Sequence, residues 1–301
     1  MKHSLRYTLL LVLAAWIWGG AFVAQSVGND LIGPFTFNCV RSLLGALVLV
    51  PLIFVFGSRG RTPGGSRTLL KAGLGCGVLL GLASALQQVG LQYASVGKAG
   101  FLTALYIVIV PLLGLLFKRN PGKQVWVAVA VALVGLYLLC WSSGGGFGLG
   151  DLLLLACSVL FSLHILYIDR VAPLVDGIKL SCLQFLVAGL VCLVPALVLE
   201  HPTWQAVASA WVPIGYAGIL SSGVAYTIQI VVQKHVEPTL ASLAFSLESV
   251  FSVLMGWLVL HQALTLRELL GCGLMFLATI LAQLPTRQKE PKNQASPAAK
   301  S

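Results

Sequence analysis

Long apolar stretches recur along the whole chain, separated by short groups of polar residues, glycine and proline. A bilayer's hydrocarbon core is about 30 Å thick, so a crossing helix needs roughly 20 mostly apolar residues. Ten stretches reach that length: 7–27, 34–57, 69–92, 96–117, 123–142, 149–168, 177–199, 211–233, 238–260 and 265–284. The pattern predicts an all-α polytopic membrane protein with ten transmembrane helices. The joints carry turn chemistry, in Gly28-Asn29-Asp30 with Gly33-Pro34, Pro63-Gly64-Gly65, Asn120-Pro121-Gly122 and Gly144-Gly145-Gly146. Such clusters favour turns and end helices. No joint is long enough to fold as a soluble domain. The polar end of the chain, 286–301, reads as a disordered cytoplasmic tail.

Composition agrees with this reading. Hydrophobic residues make up 58% of the chain and charged ones 9%, with a mean hydropathy of +0.93. Soluble domains run near 25% charged, so soluble enzymes, disordered chains and secreted disulfide scaffolds are excluded as classes. The net charge of +10 is a signal of orientation. With the N-terminus in the cytoplasm, the inner loops hold Lys2, Arg6, Arg59, Arg61, Arg67, Lys71, Lys118, Arg119, Lys123, Arg170, Lys179, Lys234, Arg287, Lys289, Lys292 and Lys300. The outer side holds Lys98 and Arg267, and Arg41 falls within a span. Retention of basic residues on the cytoplasmic side predicts a cell (inner or plasma) membrane protein with both termini cytoplasmic. A nucleic-acid partner would want a basic face on a folded domain, and the pattern offers none. Lys2 and Arg6 ahead of an apolar run also suit a signal peptide, but the run is long and lacks a small-x-small cleavage site. All seven cysteines fall inside apolar stretches without C-x-x-C spacing; they read as small buried hydrophobes.

The halves repeat. Gly45-Ala46-Leu47-Val48-Leu49-Val50-Pro51 answers Gly189-Leu190-Val191-Cys192-Leu193-Val194-Pro195. Gly81-x-Ala83-x-x-x-Gln87 answers Gly223-x-Ala225-x-x-x-Gln229, and Leu105 through Gly114 answers Leu247 through Gly256. Residues 1–145 and 146–285 thus form two five-helix units. An odd number of crossings sends the second unit into the membrane from the opposite side. The outcome is two inverted five-helix repeats, an architecture of secondary transporters whose halves rock about a midplane site.

Trp18-Gly19, Arg41, Gly97 through Pro111, and Ser246-Leu247-Glu248 with Val250-Phe251 give the chain a further likeness. It resembles the ten-helix EamA-domain transporters of the drug/metabolite transporter superfamily, from about Leu9 to Leu281. The resemblance implies a central cavity bounded by helices from both repeats. Members carry amino acids, sugars, nucleobases and other metabolites, and export is common among them. Ser249 departs from the pattern, because the family often has proline after the glutamate. The departure leaves open whether the ninth helix has a local kink.

Ionisable side chains inside a span cost at least a few kcal/mol and are functional candidates by default. Glu248 lies roughly 15 Å into the ninth stretch and Arg41 roughly 10 Å into the second. Each is read as a structural or coupling charge, with Glu248 also a site for substrate or a proton. Helical spacing adds polar faces: Ser84, Gln88 and Gln92 in the third stretch, and Ser222, Tyr226 and Gln229 in the eighth. Trp18, Phe22 and Gln25 lie in the first, Thr103 and Tyr106 in the fourth, and Ser158, Ser162, His164 and Tyr167 in the sixth. Polar faces avoid lipid and should point inward; hydrogen bonds between helices are the simpler role for any single residue. The repeat matches Tyr106 with Glu248. It also matches Gln87 with Gln229, expected near opposite faces of the membrane. Gly73, Gly77 and Gly81 should let a neighbouring helix come close.

No Walker A sequence is present, since Gly97-Lys98 is followed by Ala99 and the first glycine position holds Gln92. No His pair has metal spacing and no G-x-S-x-G occurs, so neither an enzyme nor a cofactor is expected. The reading is a secondary transporter of a small polar metabolite, an amino acid or related compound, exported by alternating access. Its candidate binding residues are Trp18, Gln25, Ser84, Gln88, Gln92, Thr103, Tyr106, Ser162, His164, Tyr167, Tyr226, Gln229 and Glu248. Its partners would be that substrate, the lipid bilayer, and a coupling proton or ion. Uptake of a nucleoside, sugar or vitamin on the same fold is the alternative, with a membrane sensor behind it.

Overall fold

The computed structural model describes residues 2–56, 64–94, 96–116, 118, 121–140, 147–260 and 265–284. The tail 286–301 and the Gly144-Gly145-Gly146 turn lie outside these. Among the described residues the chain is helical and contains no strand. In the first half, α1 is Lys2–Asn29, α2 Pro34–Phe56, α3 Gly65–Gly90, α4 Val96–Ala104, α5 Tyr106–Leu116 and α6 Lys123–Cys140. In the second, α7 is Leu149–Val171 and α8 Gly177–Pro195, which runs into a π-helical turn at Ala196–Glu200. Then come α9 Trp204–Ser209 and α10 Trp211–Gly215, followed by a π-helical stretch Tyr216–Ala225. The chain continues with α11 Tyr226–Gln233, α12 Pro238–Phe245, α13 Leu247–Leu260 and α14 Leu266–Gln283.

Among the described residues, eight segments are long and apolar enough to cross a membrane: Leu5–Asn29, Pro34–Phe56, Gly65–Gly90, Lys98–Leu116, Leu149–Leu174, Gly177–Glu200, Trp211–Gln233 and Pro238–Val259. This is a multi-pass membrane architecture. The remaining long helices, α6 and α14, pack along each other.

Local chemistry starts these helices. The Asp176 carboxylate accepts from the backbone N–H groups of Ile178 and Lys179 at 3.0 Å each, which satisfies free donors at the start of α8. The Thr265 hydroxyl and the Glu268 carboxylate do the same reciprocally at α14. α2 begins differently. The carboxylate of Glu200, at the end of the π-helical turn after α8, accepts from the N–H groups of Phe35 and Thr36 at 2.8 and 2.7 Å. A side chain from the second half therefore caps the first half's second helix.

The halves interlock by exchange of partners. α1 lies along α12 and α13, and its repeat counterpart α7 lies along α4 and α5. α3 packs on α8, while α2 packs on the π-helical stretch that answers α3. α2 and α8, themselves counterparts, pack together. The Gly73, Gly77, Gly81 stripe meets α8, as its spacing predicts. A Cβ on Gly77 would fall 2.5 Å from Val187 Cβ and clash, and one on Gly81, 3.1 Å from Ala188 Cα, would push α8 away by a few tenths of an ångström.

Candidate functional site

The fourth and ninth stretches are each broken, within one residue of the same place in the repeat. α4 ends at Ala104 and α5 starts at Tyr106; α12 ends at Phe245 and α13 starts at Leu247. In the first pair, Pro111 lacks an N–H and crowds the carbonyl of Ile107, just past the break. In the second, serines make it without a proline. Ser242, Ser246 and Ser252 donate to the carbonyls of Thr239, Leu243 and Ser249 at 2.9, 2.8 and 2.8 Å. Hydroxyls that bond back to carbonyls one turn earlier bend helices. The kink that Ser249 left open is thus present in the ninth stretch. The two breaks present Tyr106 and Glu248 to each other, and the phenol donates to Glu248 Oε1 at 2.8 Å.

Both residues line a small cavity between the halves. Arg41 reaches it from α2, and Trp18 and Gln25 from α1. Gln87 and Thr103 line it from α3 and α4, His164 from α7, and Tyr226 and Gln229 from α11. Arg41 and Glu248 are both buried, yet they do not pair. Arg41 Nε donates to Asn38 Oδ1 at 2.7 Å, and among the described residues no carboxylate lies within 4.0 Å of its guanidinium. Opposite charges on one buried wall, each held by a neutral neighbour, leave both available to a ligand.

An aromatic cluster shapes the rest. Trp18 packs against Tyr226 and Phe245 with ring centroids 4.7 and 5.1 Å apart, and Phe185 meets Tyr226 edge-on at 5.3 Å. Three wall residues carry buried polar atoms without a hydrogen-bond partner: Trp18 Nε1, Gln25 Oε1 and Gln229 Oε1. Such atoms cost about 1–3 kcal/mol each when unsatisfied, and on a cavity wall a polar ligand relieves that cost. Gln87 donates to Thr103 Oγ1 at 3.4 Å, and His164 Nε2 meets Gln184 Oε1 at 3.1 Å. The paired glutamines Gln87 and Gln229 share this cavity, each within one turn of the end of its helix. Among the described residues, no three His, Cys, Asp or Glu side chains gather as metal ligands.

Five expected binding residues stand elsewhere. Gln92 is exposed, because α3 ends at Gly90 and the chain turns there through Gln92 N–H to Val89 O. Gln88 is consumed between helices: its amide donates to the Gln25 carbonyl and to Asn29 Oδ1 at 3.0 and 2.8 Å. Ser84 faces α2, where its carbonyl accepts from Asn38 Nδ2. Ser162 bonds within its own helix to the Ser158 carbonyl at 2.7 Å. Tyr167 reaches the Lys71 carbonyl at 3.3 Å near the end of α7. Conversely, Ser221 lines the cavity although the even helical stripe selects Ser222. The cause is the π winding: Tyr226 N–H bonds to Ser221 O, five residues back. A wider turn moves the inward face by one position. Ser222 instead abuts Gly45. Phe22, which the first stretch already offered, is on the wall, and Ala21, Phe161, Ile165 and Phe245 complete it; as ordinary apolar residues in apolar helices these four carry no distinguishing sequence signal.

Known proteins share this architecture. A crystal structure of another protein superimposes with a TM-score of 0.76 at 20% identity, over 93% of this chain and 96% of its own, which shows the fold. An uncharacterized transporter from Archaeoglobus fulgidus is 29% identical over 275 residues, 91% of this chain and 84% of that protein. The threonine/homoserine exporter RhtA of Escherichia coli is 28% identical over 301 residues, covering 96% of this chain and 95% of its own. The EamA-like transporter family matches twice, over residues 5–141 and 148–284, one match to each half of the internal repeat. With its two units interlocked around one polar cavity, the chain belongs to the EamA-like transporter family.

Proposed function

We propose that this transporter moves a small zwitterionic metabolite, an amino acid or a related compound, out of the cell by alternating access. The observation that carries the reading is the separation of Arg41 from Glu248 on one buried wall. A substrate with both a carboxylate and an ammonium supplies the two missing partners at once. The unsatisfied carbonyl oxygens of Gln25 and Gln229 suit the ammonium end, and Trp18 Nε1 suits the carboxylate. Glu248 would also carry a coupling proton when substrate is absent. The name of RhtA, an exporter of threonine and homoserine, makes those compounds the first to try.

The mechanism rests on the ten-span reading, in which α6 and α14 cross beside the eight longer segments. The exchange of packing partners between halves supports two inverted repeats, and the basic residues support cytoplasmic termini in the inner or plasma membrane. Counterflow into proteoliposomes loaded with unlabelled L-threonine is the test. Accumulation of labelled L-threonine that is lost in Arg41→Gln and reduced to a residual rate in Glu248→Gln is expected. Exchange of uridine, glucose or thiamine in place of amino acids would overturn the substrate class.

A further inference from the structure

Asn38 sits one turn before Arg41 on α2 and is fully buried. Its amide has a single possible orientation. Nδ2 lies 3.1 Å from the carbonyl oxygen of Pro34 and 3.1 Å from that of Ser84. Both are acceptors only, so the two amide hydrogens must face them. Oδ1 is then turned to Arg41 and accepts from Nε at 2.7 Å. The bond to Ser84 anchors this arrangement to α3, so it does not depend on α2 alone. Swapping the amide's nitrogen and oxygen would set oxygen against two carbonyls and nitrogen against a cation.

A guanidinium grips a carboxylate through two parallel N–H groups. It can offer Nε with one terminal nitrogen, or the two terminal nitrogens together. Here Nε is already bonded to Asn38, which removes the first geometry. From this we infer that Asn38 is a positioning residue: it turns Arg41 so that the substrate's carboxylate is bound end-on, through the two terminal nitrogens. The inference rests on the zwitterion reading for its ligand, whereas the Asn38–Arg41 bond stands on the geometry alone.

Two measurements separate these. In protein labelled with 15N-arginine, the Arg41 Nε–H signal is assigned by its loss in Arg41→Lys. It should be protected from solvent exchange in the parent protein and in Asn38→Asp, and lose protection in Asn38→Leu. Protection unchanged in Asn38→Leu overturns the positioning role whatever the substrate proves to be. The second measurement is binding of L-threonine against L-threoninamide, which lacks the carboxylate. Asn38→Asp keeps an acceptor for Nε but pairs Arg41 with a negative charge. It should weaken L-threonine at least tenfold while leaving L-threoninamide within about twofold. An equal loss for both ligands means general damage to the site and overturns the inference. Failure of the parent protein to bind L-threonine refutes the amino-acid reading, with the positioning role then decided by the Nε signal.

Discussion

Tyr106 and Glu248 stand 142 residues apart in sequence, occupy the same position in the two halves, and meet in a 2.8 Å hydrogen bond. Tyr106 is the first residue of α5 and Glu248 the second of α13, each just past the break in its helix. The internal repeat is therefore closed upon itself at one bond, between a phenol in the first half and a carboxylate in the second. Hydrogen bonds to charged groups contribute about 1.5–3 kcal/mol. Tyr106→Phe should slow L-threonine counterflow about tenfold or more while the protein still elutes as a folded monodisperse species. Full counterflow in that variant would show that the bond is dispensable.

Glu248→Gln removes the charge and keeps the shape. If Glu248 carries the coupling proton, flux in the parent protein responds to an imposed pH gradient and residual exchange in Glu248→Gln does not. The comparison is made in proteoliposomes with and without the gradient. A retained gradient response assigns coupling to another group.

Arg41→Lys preserves the positive charge but not the planar fork, which Lys cannot reproduce at a site of two parallel bonds. Affinity for L-threonine should fall about tenfold, with thermal stability close to that of the parent. Equal affinity would mean that the guanidinium acts as a point charge only.

The π-helical winding at Tyr216–Ala225 makes a register prediction. A cysteine in place of Ser221 should react with a small thiol reagent through the cavity and be protected by substrate. A cysteine in place of Ser222 should stay inert, since that side chain faces Gly45. Reactivity at Ser222→Cys alone would restore an ordinary helical register.

Gly19 tests the packing of α1 on α13. A Cβ there would fall 2.4 Å from Phe251 Cβ and 2.7 Å from the Phe251 carbonyl carbon. Overpacking of this kind costs about 1–3 kcal/mol, so Gly19→Ala should lower the melting temperature. Gly100→Ala, whose Cβ would be 3.6 Å from its nearest neighbour, should leave it unchanged.

The sequence alone determined where the apolar segments lie, that the chain repeats, and which two ionisable side chains, Arg41 and Glu248, fall deep inside them. Apolar length is a local property and the bilayer sets it, so helix positions followed within a few residues. Arg41 and Glu248 stood out because charge inside a span is costly enough to need a reason. The sequence could not say which polar faces converge. Gln88 and Gln229 read alike as amides on inward stripes, and each keeps an unpartnered oxygen, yet only Gln229 lines the cavity while Gln88 is turned to Asn29 and the Gln25 backbone. Gln92 drops out because α3 stops at Gly90, and Ser221 replaces Ser222 because one turn is wider than a regular helix. The ninth helix breaks beside serine hydroxyls although no proline follows Glu248. All of these depend on contacts between segments distant in sequence or on departures from ideal winding. A periodic reading of one helix at a time contains neither, so tertiary packing decided them.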